Sequence, residues 1–205
     1  MIMDGKVKKV ICVLVLCLVV PLVALGCNDK EGGSKSDLEM GAAAIAALVD
    51  SHIQNCLDTL EIMAATGEVK SEDWELMLPV LTRADEVMLP SPNWFAVPDG
   101  SYYVVDMGKT DKNIADRAYF PVVMSGSNTY SELVVSRSTG EKVLVVAVPV
   151  IKSGKVIGVV GISVFLKDLS DIIAEELNLT DDFIFYAVTP GKQVALHTDT
   201  KLILE

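Results

Sequence analysis

The stretch Ile114–Leu166 decides the fold. It opens with I-A-D-R-A-Y-F-P-V-V-M over residues 114–124, and from Ser131 runs S-E-L-V-V-S-R-S-T-G-E-K-V-L-V-V-A-V-P-V-I-K-S-G-K-V-I-G-V-V-G-I-S-V-F-L. Its second half holds two long β-branched runs, Val143–Ile151 and Val156–Phe165, joined by Lys152-Ser153-Gly154-Lys155, which is hairpin chemistry. A shorter run, Leu133–Val135, precedes the turn residues Ser136-Arg137-Ser138-Thr139-Gly140. These pieces predict a three-stranded antiparallel meander. Both long runs are almost continuously apolar, so neither face of the strands suits water: one must meet helices, and the other is covered by loops or walls a cavity. Gly158 and Gly161 leave one strand bare at two positions, which fits either tight packing of a helix on the sheet or close approach of a backbone or ligand.

Ahead of this stretch, Asn93–Val97 and Tyr102–Val105 are strand-like and flank the turn signal Pro98-Asp99-Gly100-Ser101, predicting a first hairpin. The order is then an aromatic strand, a D-G turn, Arg-x-aromatic-aromatic, V-x-S-x-x-T-G, V-x-V-P and G-V-V-G-I-x-V. This order resembles the Cache domain, the extracytoplasmic sensor module of bacterial chemoreceptors and kinases. The resemblance runs from about Asp37 to the end of the chain, where A-L-H-T-D-T-K-L-I-L is similar to the segment that follows the sheet of the ligand-binding lobe.

The first residues read as an address. Lys6, Lys8 and Lys9 precede the apolar run Val10–Leu25, and Gly26-Cys27 follows. Lysines, roughly 16 apolar residues and a small residue make a secretory signal and are short for a membrane span. An uncleaved anchor helix is the alternative. Cysteine directly after Gly26 resembles a bacterial lipoprotein signal, which implies removal of residues 1–26, acylation of Cys27 and attachment to the membrane by a lipid anchor. Residues 27–36 are polar, glycine-bearing and poor in hydrophobes, a flexible tether. Residues 37–205 are expected to form a single sensor domain, ample for a core.

The chain carries a net charge of −11, and losing the leader's lysines makes it more acidic, which argues against nucleic acid as a partner. Of its four cysteines only Cys56 lies beyond the leader and anchor. Its apolar helical setting predicts a buried structural thiol, with an intermolecular bridge as the alternative.

From Asp37 the apolar residues Leu38, Ile45, Val49, Ile53, Cys56, Leu60 and Met63 recur at helical spacing until Thr66-Gly67. At 1.5 Å per residue this is a helix of about 45 Å. In Cache domains such a helix often carries a dimer contact, so the face is either partly intermolecular, making a homodimer, or wholly intramolecular. A second helix is expected after Ser71 as cap, with Trp74, Leu76, Leu78 and Leu81 as its apolar members and Pro79 kinking or interrupting it. The polar segment between Asp106 and Asn113 reads as a loop and a candidate lid, leading into a helix that carries Arg117. After Phe165 come a helix through Leu169–Leu177, a strand Phe183–Val188 and a last strand Gln193–His197. The sum is an α+β fold of PAS-like type: a long N-terminal helix with an antiparallel sheet of about five to seven strands and further helices.

No P-loop, G-x-G-x-x-G or zinc spacing is present, and the two histidines, His52 and His197, lie far apart. Catalysis, metal and cofactor are therefore not expected. Asn178-Leu179-Thr180 reads as a helix-end turn. Arg117 is the candidate anchor, because its planar, permanently charged fork matches a carboxylate. Tyr119 and Phe120 follow it with hydroxyl and ring surface, and in amino-acid-binding Cache proteins the matching positions are arginine, any residue, tryptophan, tyrosine. A structural salt bridge to Asp116 or Asp106 is the competing role. The chain departs from that subgroup at Lys112, where an aromatic lies five residues before the arginine, and at Ser163, where an aspartate clasps the ligand's ammonium. The loss disfavours a plain α-amino acid, unless Asp106 substitutes, and favours a small carboxylate held by Arg117, Lys112, Tyr119 and Ser163. Tyr102, Tyr103 and Asp106 are further lining candidates, and strand alternation lets only one of the two tyrosines point inward.

The expectation is thus a lipid-anchored extracytoplasmic domain that binds a small carboxylate-bearing ligand. No apolar span follows residue 26, so its signal would pass through a membrane partner protein. The competing class is a ligand-free interaction module acting through the long helix.

Overall fold

The computed structural model describes residues 9–14, 35–180 and 183–204, so Cys27 and the tether lie outside the described residues. The described chain divides into two compact units, Ser51–Phe165 and the remainder on either side of it.

The Ser51–Phe165 unit is built on a six-stranded, wholly antiparallel sheet. Its strands are β2 (Asn93–Ala96), β3 (Ser101–Val104), β4 (Gly108–Asn113), β5 (Thr129–Val135), β6 (Lys142–Lys152) and β7 (Lys155–Phe165), in the spatial order β4-β3-β2-β7-β6-β5. The β6–β7 hairpin closes where Lys152 faces Lys155, with Ser153 at φ 50° and Gly154 at φ 77°. Two positive φ values give the twist that a two-residue loop needs between long strands, which is why glycine stands there. Burial is nearly unbroken along both strands, as their apolar runs require.

One face of this sheet gathers Trp94, Ala96, Tyr102, Val104, Val143, Val145, Ala147 and Val159 into a core with the helix α3 (Tyr119–Met124). The other face meets the helix α2 (Trp74–Asp85), whose Leu81 carbonyl accepts from Asn93 Nδ2 at 3.4 Å and whose Trp74 stacks on Tyr103 at 4.9 Å. Tyr102 and Tyr103 therefore point to opposite faces, as alternation demands. The 3-10 turn Val69–Ser71 is tied to β6 through Lys152 Nζ, which donates to the Lys70 carbonyl at 3.0 Å.

Gly158 and Gly161 answer the question of the bare strand. A Cβ on Gly161 would stand 2.3 Å from the Trp94 ring, and one on Gly158 would stand 2.5 Å from the Phe95 ring. The indole and the phenyl of β2 lie across the glycines of β7, filling the space a side chain would take.

Three expectations are corrected here. The segment before Arg117 is not a lid: Gly108–Asn113 is the edge strand β4, hydrogen-bonded to β3, with Thr110 Oγ1 donating to the Tyr102 carbonyl at 3.1 Å. Its polar residues carry no alternation because an edge strand exposed on both sides has no apolar face to encode. The cap of α2 is Asp73, which accepts from Glu75 N at 3.0 Å, and not Ser71; the helix also continues through Pro79. The terminal strands do not join the main sheet, since β8 (Phe183–Val188) pairs with β9 (Val194–His197) in a second sheet.

The helix α1 (Lys35–Ala65) matches its predicted bounds closely. Its expected apolar face is buried within the chain at Ile45, Val49, Ile53, Cys56, Leu60 and Met63, leaving Met40 and Ile62 as its exposed large hydrophobics. In the flanking unit, Lys9–Leu14 forms a strand, β1, parallel to β8, with Lys9 opposite Phe183 and Leu14 opposite Val188. Helix α4 (Leu166–Glu176) ends at Asn178, whose φ is 48°, with Leu179 N donating to the Ala174 carbonyl at 2.9 Å. That left-handed asparagine is the helix-end turn expected of Asn178-Leu179-Thr180. Ser170 Oγ then joins α4 to β9 by accepting from His197 N at 3.3 Å.

Candidate functional site

A half-open cleft lies on the α3 face of the main sheet. Its floor is Trp94 and Ser163 on adjacent strands with Val143 and Val145, its sides are Tyr102, Ile114 and Tyr119, and its rim carries Arg117, Val134, Ser136, Arg137 and Ser138. The cleft measures about 350 Å³ including its open mouth, with room for roughly one water at its depth.

Local structure explains each placement. Ser163 follows Gly161 by two residues on β7 and so shares its face, and Trp94, paired with Gly161, lays its indole there. The indole Nε1 donates to Ser163 Oγ at 3.2 Å. Arg117 sits in the turn two residues before α3 and not in the helix expected to carry it, and its Nη2 donates to the Val135 carbonyl at 2.7 Å. That bond also satisfies one carbonyl at the end of the edge strand β5. Among the described residues Arg117 has no carboxylate within ion-pair distance.

Asp116, one of the expected partners of Arg117, instead pairs with Arg137. The Nη1 and Nη2 of Arg137 donate to its two oxygens at 2.6 and 2.8 Å, and Nη1 also bonds the Asn113 carbonyl. The Arg137 fork holds the Asp116 carboxyl below the usual carboxylate range. The phenols of Tyr119 and Tyr102 are close enough to act electrostatically on Arg137.

Of the eight expected site residues, Arg117, Tyr119, Ser163 and Tyr102 meet in this cleft. The other four lie elsewhere. Phe120 is buried in the core beneath α3, Tyr103 is on the opposite face against Trp74, and Lys112 is exposed on β4 with Asp111 at 3.2 Å. Asp106 is exposed in the β3–β4 turn, where its charge acts on Asp85. Sequence reasoning missed Trp94 and Arg137. The bare Gly161 was a signal for a large cross-strand ring, and Arg137 is one of only three arginines in a chain otherwise cationic through lysine.

Among the lining residues whose side chains are described there is no histidine, cysteine or carboxylate. The arrangement offers cationic and hydroxyl donors over an aromatic floor, which is chemistry for holding an anion.

No protein-family model matches the chain. It is 24% identical over 212 residues to the methyl-accepting chemotaxis protein PscA of Pseudomonas syringae pv. tomato, an alignment covering 98% of this chain and 33% of that protein. The chain thus spans about a third of the length of this curated relative. Among solved structures, the ligand-binding domain of the Pseudomonas fluorescens chemoreceptor CtaA with L-valine superposes with a TM-score of 0.65 at 19% identity, over 82% of this chain and 75% of that one. The ligand-binding domain of the Pseudomonas aeruginosa PAO1 amino acid chemoreceptor PctC with GABA gives 0.62 at 18% identity, over 82% and 75%. That of the Campylobacter jejuni chemoreceptor Tlp3 with 4-methylisoleucine gives 0.62 at 13% identity, over 80% and 69%. The likeness at these identities is one of fold, and the fold of this chain is that of the Cache-type, PAS-like ligand-binding domains of bacterial chemoreceptors.

Proposed function

We propose that this chain is an extracytoplasmic sensor domain that binds a small carboxylate-bearing molecule in the cleft, with Arg117 as the carboxylate's partner. The observation that carries this is the state of Arg117: its guanidinium lines the cleft, one N–H goes to a backbone carbonyl, and Asp116, on which its charge acts, has both oxygens held by the Arg137 fork. A half-exposed guanidinium at the rim with donors to spare can take an incoming carboxylate in bidentate geometry. The ligands named for the superposed domains, GABA and L-valine, both bear a carboxylate.

The anchoring belongs to the same proposal. Residues 1–26 act as a lipoprotein signal whose removal takes β1 with it and leaves β8 paired with β9 alone, Cys27 carries the lipid, and the signal leaves through a membrane protein partner. Among the described residues no helix is long and apolar enough to cross a membrane. Metabolic labelling with a fatty-acid analogue is expected to tag the wild-type chain and to miss Cys27→Ser; equal labelling of both would remove the anchor.

The ligand reading is tested by thermal shift of the purified protein against small carboxylates and amines. A ligand that binds only the folded state at about 100 times its Kd adds about 2.7 kcal/mol, a clear rise in Tm. The carboxylate shift is expected to vanish in Arg117→Ala. No shift with any carboxylate, together with strong destabilisation by Arg117→Ala itself, would make the arginine structural.

One observation favours a second reading, a ligand-free interaction module. Trp94, Tyr102 and Tyr119 close in on a cleft with room for roughly one water at its depth, while Met40 and Ile62 on α1 are 62% and 70% exposed. In that case α1 contacts a second copy or another receptor, and Ile62→Asp abolishes the association while ligand screens stay silent.

A further inference from the structure

We infer that the outer edge of β8 is a strand-acceptor site, filled in the precursor by the leader's own β1 and in the processed protein by an extended apolar segment of the membrane partner running parallel to β8. This rests on the reading that residues 1–26 are removed, and it names where that partner docks.

The small sheet has the order β1-β8-β9, so β8 is its central strand. The chain closes the far side of this sheet itself. On β9, His197 N donates to Ser170 Oγ of α4 at 3.3 Å, and the Val194 carbonyl accepts from Leu204 N at 2.7 Å. Among the described residues the near side is closed by β1, six residues in continuous parallel register from Lys9 opposite Phe183 to Leu14 opposite Val188.

Losing the leader opens that near side. The Phe185 carbonyl accepts from Thr198 N at 3.1 Å, so alternation along the strand turns the N–H and C=O groups of Ile184 and Tyr186 toward β1. Without β1 these groups lose their partners, on a strand whose Phe185 and Ala187 are fully buried. A two-stranded sheet is marginal in water, and a bare edge is a template for another strand.

Three observations argue for the occupant. The strand seated on the edge runs parallel to β8, whereas a second copy related by a two-fold axis would bring its own β8 antiparallel. That strand reads K-V-I-C-V-L, β-branched and apolar after one lysine. Asp181 and Asp182 directly precede Phe183 in the sequence, which suits a basic residue at the start of an incoming strand. In strand addition the main-chain bonds supply affinity and alternate side chains supply choice.

The experiment is fluorescence polarisation with the processed protein, extracted in detergent from the membrane of the producing cells and weighed by mass spectrometry. The probe is a labelled peptide of residues 8–14 carrying Cys12→Ser. In the observed register the N–H groups of Ile11 and Val13 point to β8, and those at positions 10 and 12 point away. N-methylation at Ile11 and Val13 is expected to weaken binding at least about tenfold, the loss of two hydrogen bonds, and N-methylation at positions 10 and 12 to change it less than about twofold. Ile184→Pro, which removes an N–H from the acceptor edge, should weaken binding likewise. A chain that keeps its leader should not bind, because β1 holds the edge.

Processed protein that ignores the peptide, or binds every N-methyl form alike, overturns this inference and leaves the leader reading standing. A mass that still includes residues 1–26 overturns both. Self-association of the processed protein that Ile184→Pro abolishes gives the edge to a second copy and overturns its assignment to a partner. The N-methyl series decides the matter even where Ile184→Pro does not fold.

Discussion

Arg137 and Asp116 meet fork to fork, Nη1 at 2.6 Å from Oδ1 and Nη2 at 2.8 Å from Oδ2. The pair ties the β5–β6 turn to the segment that delivers Arg117. The carboxyl is held below its ordinary value by that fork, so its stabilising effect is fully present above the unfolded value near 3.8 and fades as pH falls through the lower folded value. Asp116→Asn is expected to lower Tm by roughly 1–3 °C at neutral pH, a small effect because the pair is exposed to solvent. The difference from wild type should vanish in strong acid and shrink in 1 M salt. Melting curves across pH check this, and a difference that persists below the folded value would assign the effect to something other than charge.

Gly161→Ala tests how the floor of the cleft is built. The added methyl would meet the Trp94 ring at 2.3 to 2.8 Å, so the indole must move. A destabilisation of about 1–3 kcal/mol is expected from overpacking. The displaced indole should lose its bond to Ser163 and shift its fluorescence, read in a Trp74→Phe background. An unchanged emission spectrum would show that the backbone yields instead.

Cys56 is buried on α1, and burial pushes its thiol up to about 11, with a backbone hydrogen bond to Leu89 pulling the other way. At pH 8 the peptide carrying Cys56 should stay unlabelled by iodoacetamide in the native protein and react in urea. An unfolded thiol ionises near 9, so above that pH the unfolded state gains and stability falls until about pH 11, by about 2–3 kcal/mol in all. Cys56→Ala should lack this component of the alkaline loss, as urea titrations from pH 8 to 11 can measure.

Asp73→Ala removes the side chain that caps α2 by accepting from Glu75 N at 3.0 Å. The expected cost is about 1 kcal/mol. Ser71→Ala should cost less, since its hydroxyl serves only the preceding turn, accepting from Asp73 N at 3.1 Å and donating to the Glu68 carbonyl. Urea midpoints of the two variants settle which residue is the cap.

Much of the fold was legible because local chemistry encodes it. The helical spacing from Leu38 to Met63 marked α1, the Ser153-Gly154 pair marked the β6–β7 hairpin, and unbroken apolar runs marked strands buried on both faces. The edge strand β4 was not legible, since a strand wetted on both sides has no periodicity to read, nor was the pairing of β8 with β9 apart from the main sheet. In the site, the sequence by itself determined that Arg117 and Tyr119 would stand close together and that Tyr102 and Tyr103 would part. Only tertiary structure decided that Arg137 takes Asp116, that Trp94 covers Gly161 and that Ser163 receives the indole N–H. Those contacts join residues 21, 67 and 69 positions apart. Sequence spacing carries directions along one element, whereas the partner across a sheet is chosen by register and by which side chains compete for the same space.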